Sequence, residues 1–284
     1  MAIKKLGVVG AGTMGAGIAQ VGVQVGISVV IVDVDQKFVD RGVKGITGSW
    51  QKNAAKGKLT EEQVARYTAN LKGSVKMDDL KDCDLVIEAI FENIDVKKKV
   101  FKELDGICAP GTVIASNTSA LSITEIAAAS GRPDRVVGMH FFNPVPVMKL
   151  VEVIPGEETS EATVNLAMEA CLQLQKTPIK AAEAPGFIVN RLLVPYLNEA
   201  CIAYGEGVGS AKDIDEAMKL GANMPIGPLA LCDMVGLDVL LMVADYFHRE
   251  FGDSKYRPAL ALKQKVRAGN LGMKTGKGFY DYTK

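Results

Sequence analysis

Two constellations in this chain have residue types and spacings suited to chemistry. Near the N-terminus, Gly10, Gly12 and Gly15 form a G-x-G-x-x-G that also holds Thr13 and Met14, and Asp33 follows at the end of the next apolar run. Near the middle, "GMHFFNPVPVMKLVE" (138–152) places His140, one of only two histidines, ahead of the lone Glu152. Glycines so spaced let a backbone turn tightly, approach a phosphate and pack a helix closely on a strand. A histidine beside a carboxylate can exchange protons at neutral pH. Each stretch also has a bland reading. Glycine runs make ordinary turns, and histidine is often partly buried without a function, so His140 alone fits a core residue on a strand entering a turn. The elements around these residues have to decide.

"IKKLGVVG" is a short β-rich run ending on glycine, and "SVVIVD" is a second one ending on Asp33, with a segment of helical length, Thr13–Val25, between them. That is a βαβ unit, and it supplies the context that turns a weak glycine pattern into a dinucleotide fingerprint. The helix N-terminus is placed to hold phosphates. Asp33 is placed to accept hydrogen bonds from the adenosine ribose and to repel a 2′-phosphate, which favours NAD over NADP.

The alternation continues along the chain. Residues 36–58 suit a polar helix, and Thr60 to Gln63 form a capping box that opens a helix to about Leu71. "DLVIEAI" (84–90) reads as a buried strand, 93–104 as a helix, 112–116 as a strand and 122–129 as a helix. "RVVGMHF" and "KLVEVI" add two further strands. The pattern predicts an α/β fold, a Rossmann-type, doubly wound and mostly parallel sheet. From about Ala184 helical spacing takes over, with Ser210 to Asp213 capping one helix and "GLDVLLMVADYFHREFG" forming another. The expected organisation is a Rossmann-type domain over 1–184 followed by an all-helical C-terminal domain over 185–284, with Pro185 and Gly186 as the hinge. The apolar runs of the helical part predict burial against a second subunit, a homodimer.

Composition narrows the classes further. With 284 residues the chain is long enough for two domains, and its 33 Lys+Arg balance 33 Asp+Glu, so no global charge points to nucleic acid or a membrane surface. The uncharged stretch from Leu6 to Val32 superficially resembles a membrane span, but its glycines and glutamines argue against one. Five widely spaced cysteines without a Cys-x-x-Cys predict free thiols, no metal site and a cytoplasmic location.

In an open α/β sheet, ligands bind beyond the carboxyl ends of the strands. Ser116, Asn117, Thr118 and Ser119 follow one strand, Glu92, Asn93 and Lys97 follow another, and His140 closes a third, so all can meet one crevice. Ser49, Lys52 and Lys56 share a face of the helix after Asp33; spacing alone suggests no more than a solvated lysine face.

The whole chain resembles the L-3-hydroxyacyl-CoA dehydrogenase family. The resemblance rests on "GAGTMGAGIAQ", "ASNTSALSIT", "GMHFFNPVPVMKLVEV", "PGFIVNRLLVPYLNEA", "DIDEAMKLGA", "GPLALCDMVGLD" and "KTGKGFYDY". It implies that His140 and Glu152 are the catalytic acid/base pair and that Ser119 and Asn190 contact the reacting oxygen. It further implies that Ala89, Glu92, Lys97, Ser119 and Asn143 lie near NAD, and that Ser49, Lys52 and Lys56 meet coenzyme A. The substrate it implies is an acyl-CoA of the acetoacetyl/3-hydroxybutyryl type. Departures are small: Ala120 stands where a serine is common and Met224 where a histidine is frequent. Two rivals are a β-hydroxyacid dehydrogenase, which characteristically uses a catalytic lysine, and a non-catalytic NAD-binding protein.

Overall fold

The computed structural model describes residues 2–283, which form two compact units that divide between Glu183 and Ala184. In the first unit, β1 (Lys5–Val9) leads through the glycine turn into α1 (Thr13–Gln24), and β2 (Ser28–Val32) into α2 (Gln36–Ala55). Then come α3 (Glu61–Ala69), β3 (Leu71–Ser74), β4 (Leu85–Glu88), α4 (Ile94–Ile107), β5 (Val113–Ser116), α5 (Ile123–Ala127) and β6 (Val136–Phe141). The unit closes with β7 (Leu150–Pro155), α6 (Glu161–Gln173) and β8 (Thr177–Lys180).

The strands form one eight-stranded sheet in the order β3-β2-β1-β4-β5-β6-β7-β8. All neighbours run parallel except β6 and β7. The doubly wound, mostly parallel architecture expected from the sequence is therefore present, and the order reverses between β1 and β4, the place where such sheets open a ligand crevice. Strands β4, β5 and β6 are buried along their whole length, which explains their unbroken apolar runs. The core beneath α1 joins Ile18, Val23, Val8, Ile31, Trp50 and Ile87.

Helix starts follow the caps. The Thr60/Gln63 capping box opens α3, and Asn93, Ser122, Ser160 and Ser210 each accept a backbone N–H at the head of their helices. The expected helix through Leu71 overruns. It stops at Ala69, and Leu-Lys-Gly-Ser becomes the edge strand β3 beside β2. That strand is only half covered and lacks apolar alternation, so its sequence carries no strand signal. Its Gly73 is required by packing, since a Cβ there would sit 2.6 Å from Val39 Cγ1 of α2. The other edge, β8, holds Pro178, and neither it nor α6 stood out in the sequence.

The second unit is helical: α7 (Val189–Gly205), α8 (Ala211–Gly221), α9 (Pro228–Val235), α10 (Leu237–Phe251) and α11 (Leu260–Arg267). Its core gathers Leu197, Cys201, Cys232, Leu240, Phe247 and Leu262. The chain end folds back on the buried Asp233, which accepts from Phe279 N and Tyr280 N at 2.9 Å and from Tyr282 Oη at 3.0 Å. Gly278 permits this, because a Cβ at that position would overlap the Asp233 carboxylate.

Candidate active site

Each fingerprint glycine has a separate reason to be glycine. Gly10 has φ +104°, and a Cβ on it would lie 2.5 Å from Ala89 O. A Cβ on Gly15 would lie 1.8 Å from Gly10 O, so α1 could not pack against the turn. A Cβ on Gly12, in contrast, would meet nothing within 4 Å; that position faces open space. Gly12 is also the N-cap of α1, with no side-chain cap and no acidic residue in the first turn. A ligand anion can therefore take up the dipole end of the helix. Beside it, Asp33 Oδ2 accepts from Ala11 N at 2.7 Å and Oδ1 from Val34 N at 2.8 Å, which fixes the carboxylate at the end of β2. An open backbone cradle, an uncapped helix end and an oriented carboxylate together fit the pyrophosphate and ribose of NAD. Thr13 is exposed and Met14 half-buried at the same helix end.

Beyond β4 and β5 lies a polar network that is almost fully enclosed. Glu88, the last residue of β4, is buried, with Oε1 accepting from Ile90 N at 2.7 Å and from Lys97 Nζ at 2.6 Å. Its Oε2 accepts from Ser116 Oγ at 2.6 Å. The Lys97 ammonium, itself buried, also lies 3.4 Å from Glu92 Oε2. Glu92 Oε1 accepts from Thr118 Oγ1 at 2.6 Å, Ser119 N at 2.8 Å and Ser119 Oγ at 3.1 Å. Lys97 is thus enclosed between two carboxylates of its own chain. Sequence reading missed Glu88, although a carboxylate closing the apolar run "DLVIE" was itself a signal, because a buried charge needs a partner.

His140 and Glu152 come together through the one antiparallel pairing in the sheet. They are directly opposite in the β6/β7 register, both buried, with His140 Nδ1 2.7 Å from Glu152 Oε2. With Nδ1 on the carboxylate, an acid/base role for this histidine would fall to Nε2. Phe142 packs on the imidazole at a centroid distance of 4.4 Å, and Asn117 Oδ1 accepts from Phe141 N at 2.8 Å, tying the β5 loop to the histidine strand. Among the described residues no group of side chains has the makings of a metal site.

The remaining expected residues are placed separately. Ala89 is half-buried after β4, and Asn143 is exposed in the turn after β6. Ser49 and Lys52 lie in the last turns of α2 with Lys56 as its C-cap; both lysines are exposed, while Trp50 buries the opposite face. Between β2, which leads into α2, and β6 stand β1, β4 and β5, so the sheet order does not bring this face beside His140. Asn190 is the second residue of α7, in the helical unit.

Comparison with known proteins identifies the family. Residues 5–184 match the 3-hydroxyacyl-CoA dehydrogenase NAD binding domain, and residues 186–282 match the C-terminal domain of the same enzymes. The chain is 48% identical over 280 residues to the 3-hydroxybutyryl-CoA dehydrogenase of Clostridioides difficile, covering 99% of this chain and 100% of the relative. It is 45% identical to the mitochondrial hydroxyacyl-coenzyme A dehydrogenase of Homo sapiens over 99% of this chain and 91% of that one. The crystal structure of (S)-3-hydroxybutyryl-CoA dehydrogenase from Ralstonia eutropha superposes with a TM-score of 0.96 at 52% identity, covering both chains completely. With a glycine cradle suited to NAD, a buried His-Glu pair and both family domains matched end to end, the chain belongs to the 3-hydroxyacyl-CoA dehydrogenase family, the NAD-dependent oxidoreductases that act on a CH-OH group.

Proposed function

We propose that the chain interconverts 3-hydroxybutyryl-CoA and acetoacetyl-CoA, with His140 as general acid/base and Glu152 as its orienting partner. The observation that carries this reading is the enclosed 2.7 Å contact between His140 Nδ1 and Glu152 Oε2. NAD held on the glycine cradle supplies the acceptor for the hydride that leaves C3. The protein's own part is proton transfer. His140 Nε2 takes the hydroxyl proton as the C–H bond breaks, and Glu152 stabilises the imidazolium that results; in the reducing direction the imidazolium returns that proton. By family resemblance, Ser119 and Asn190 donate hydrogen bonds to the oxygen where negative charge collects.

Lys97, enclosed between Glu88 and Glu92, serves the cofactor side together with Glu92. Lys52 and Lys56 have no ion-pair partner among the described residues and suit the phosphates of coenzyme A. Exposed Met234, Val235, Val239 and Met242, at the end of α9 and along α10, suit a homodimer interface in the helical domain. The five free, buried thiols suit a reducing compartment, the cytoplasm, and no helix among the described residues is long and apolar enough to cross a membrane. A spectrophotometric assay tests the reading: NADH should be consumed with acetoacetyl-CoA and not with free acetoacetate. Preferential turnover of C12 to C16 3-ketoacyl-CoAs would refute the four-carbon assignment.

A further inference from the structure

The loop between β6 and β7, which joins His140 to Glu152, is held at three points, and one of them is a buried lysine. At its start Phe142 packs on the His140 ring, with centroids 4.4 Å apart. At its middle Val145 is buried against α1, so closely that a Cβ on Gly17 would lie 2.8 Å from Val145 Cβ. The third point is Lys176, between α6 and β8. Its Nζ donates to Val145 O and to Met148 O, the latter at 2.9 Å. Neither carbonyl accepts from a backbone N–H among the described residues. One side chain thus satisfies two carbonyls that the turn itself leaves unpaired.

Packing alone does not call for an ammonium here. Lys176 is buried, and no carboxylate pairs with it among the described residues; burial and the neighbouring Lys149 ammonium lower its pKa. A buried charge without a counter-ion costs stability that an apolar side chain would not. The base of the side chain is fixed as well. Lys176 N donates to Cys171 O of α6 at 2.8 Å, and Thr177 N donates to Lys149 O at 2.8 Å, where β8 starts beside β7. The donors are therefore anchored to α6 and to the sheet, and the loop is the part they hold. Val145 offers its carbonyl to Lys176 and its side chain to α1, the helix whose N-terminus forms the glycine cradle. A shift of the loop would lift Val145 off α1 and slide Phe142 along the imidazole.

We propose that Lys176 is a positioning residue for the reaction, holding the β6–β7 loop so that the histidine strand keeps its place relative to α1. The proposal rests on the reading of His140 as the acid/base, and it adds a residue that acts only through the loop.

Lys176→Met keeps most of the stem and removes the donors. In single-turnover reduction of acetoacetyl-CoA at saturating NADH, its rate constant should fall about ten- to a hundredfold, because a misplacement of about 1 Å set up far from the reacting atoms has an effect of that order. A residue needed only for folding would lower the amplitude, the fraction of protein that reacts, and leave the rate constant unchanged. KM for acetoacetyl-CoA should stay within about threefold, since the loop carries no group assigned to coenzyme A. Val145→Ala, which withdraws the contact with α1, should slow the same step. Combined with Lys176→Met it should cost little further, since residues acting as one unit are non-additive.

A wild-type rate constant in a folded Lys176→Met, with or without a lower amplitude, would overturn the proposal. So would a full multiplicative loss in the double variant, or a wild-type rate constant in Val145→Ala, the variant that decides the question if Lys176→Met does not fold. The underlying reading of His140 fails by a different result, a wild-type rate constant in His140→Ala.

Discussion

Replacing Glu152 with glutamine probes the proton-transfer step while disturbing little else. The side chain is fully enclosed opposite His140 on β7, and its Oε2 lies 2.7 Å from Nδ1. Glutamine has the same shape and can still hydrogen-bond to Nδ1, so β6 and β7 should remain paired. What disappears is the negative charge facing the imidazolium. With charge centres about 4 Å apart and an effective dielectric constant of about 20, that interaction is worth about 4 kcal/mol. If the proton is about half transferred in the transition state, about 2 kcal/mol of it is felt there, or roughly 30-fold in rate; complete transfer would make it about 10³-fold. Glu152→Gln should therefore lower kcat by about 30- to 1000-fold, followed as loss of NADH absorbance with acetoacetyl-CoA. NADH binding, measured separately by fluorescence, should be unchanged, because the glycine cradle lies across β4 and β5 from this pair. A folded variant with kcat within about threefold of wild type would refute the reasoning and leave the carboxylate with a packing role.

Three further outcomes follow from other parts of the structure. Lys52→Ala/Lys56→Ala should raise KM for acetoacetyl-CoA with little change in kcat, and the effect should shrink as salt is raised, because exposed charge pairs are screened; steady-state kinetics at low and high salt checks both. Asp33→Ala should narrow the preference for NADH over NADPH, measured as the ratio of kcat/KM values, because both the ribose contact and the repulsion of a 2′-phosphate are lost. Asp105 accepts from Arg132 Nε at 2.6 Å, and this contact holds its carboxyl below the usual carboxylate range. A lowered native pKa means stability that is present above the unfolded pKa and lost as pH falls through the native one. Asp105→Asn should accordingly cost about 1 kcal/mol or less at pH 7, given the partial exposure of the pair, and the gap in thermal midpoint should close as the pH drops below about 4.

The cofactor half was legible in the sequence because its signals are local. Glycine spacing, a β-rich run on either side and Asp33 at a strand end all lie within one βαβ unit. The His-Glu pair was not legible from spacing alone. Residues twelve apart in the sequence meet only because β7 runs antiparallel to β6, and a register shift of one residue would turn one of the two side chains to the other face. Family resemblance identified the pair, and the register shows how it forms. Glu88 escaped notice because it ends a strand that otherwise reads as pure core, while its partner Lys97 was read as part of the crevice rim and not as the counter-ion of a buried carboxylate. Edge strands β3 and β8 were missed for a related reason: half covered, they need no regular alternation. Lys52 and Lys56 remain exposed helix lysines in sequence and structure alike, and only a substrate can distinguish them from a solvated face.

The central claim is that His140, held by Glu152, moves the proton in an NAD-dependent 3-hydroxyacyl-CoA dehydrogenase. The most direct measurement is single-turnover reduction of acetoacetyl-CoA by prebound NADH, comparing wild type with His140→Ala. The account predicts a hydride-transfer rate about 10²–10⁴-fold lower in His140→Ala, with the amount of NADH bound unchanged. A His140→Ala protein that folds, binds NADH and transfers hydride at nearly the wild-type rate would contradict it.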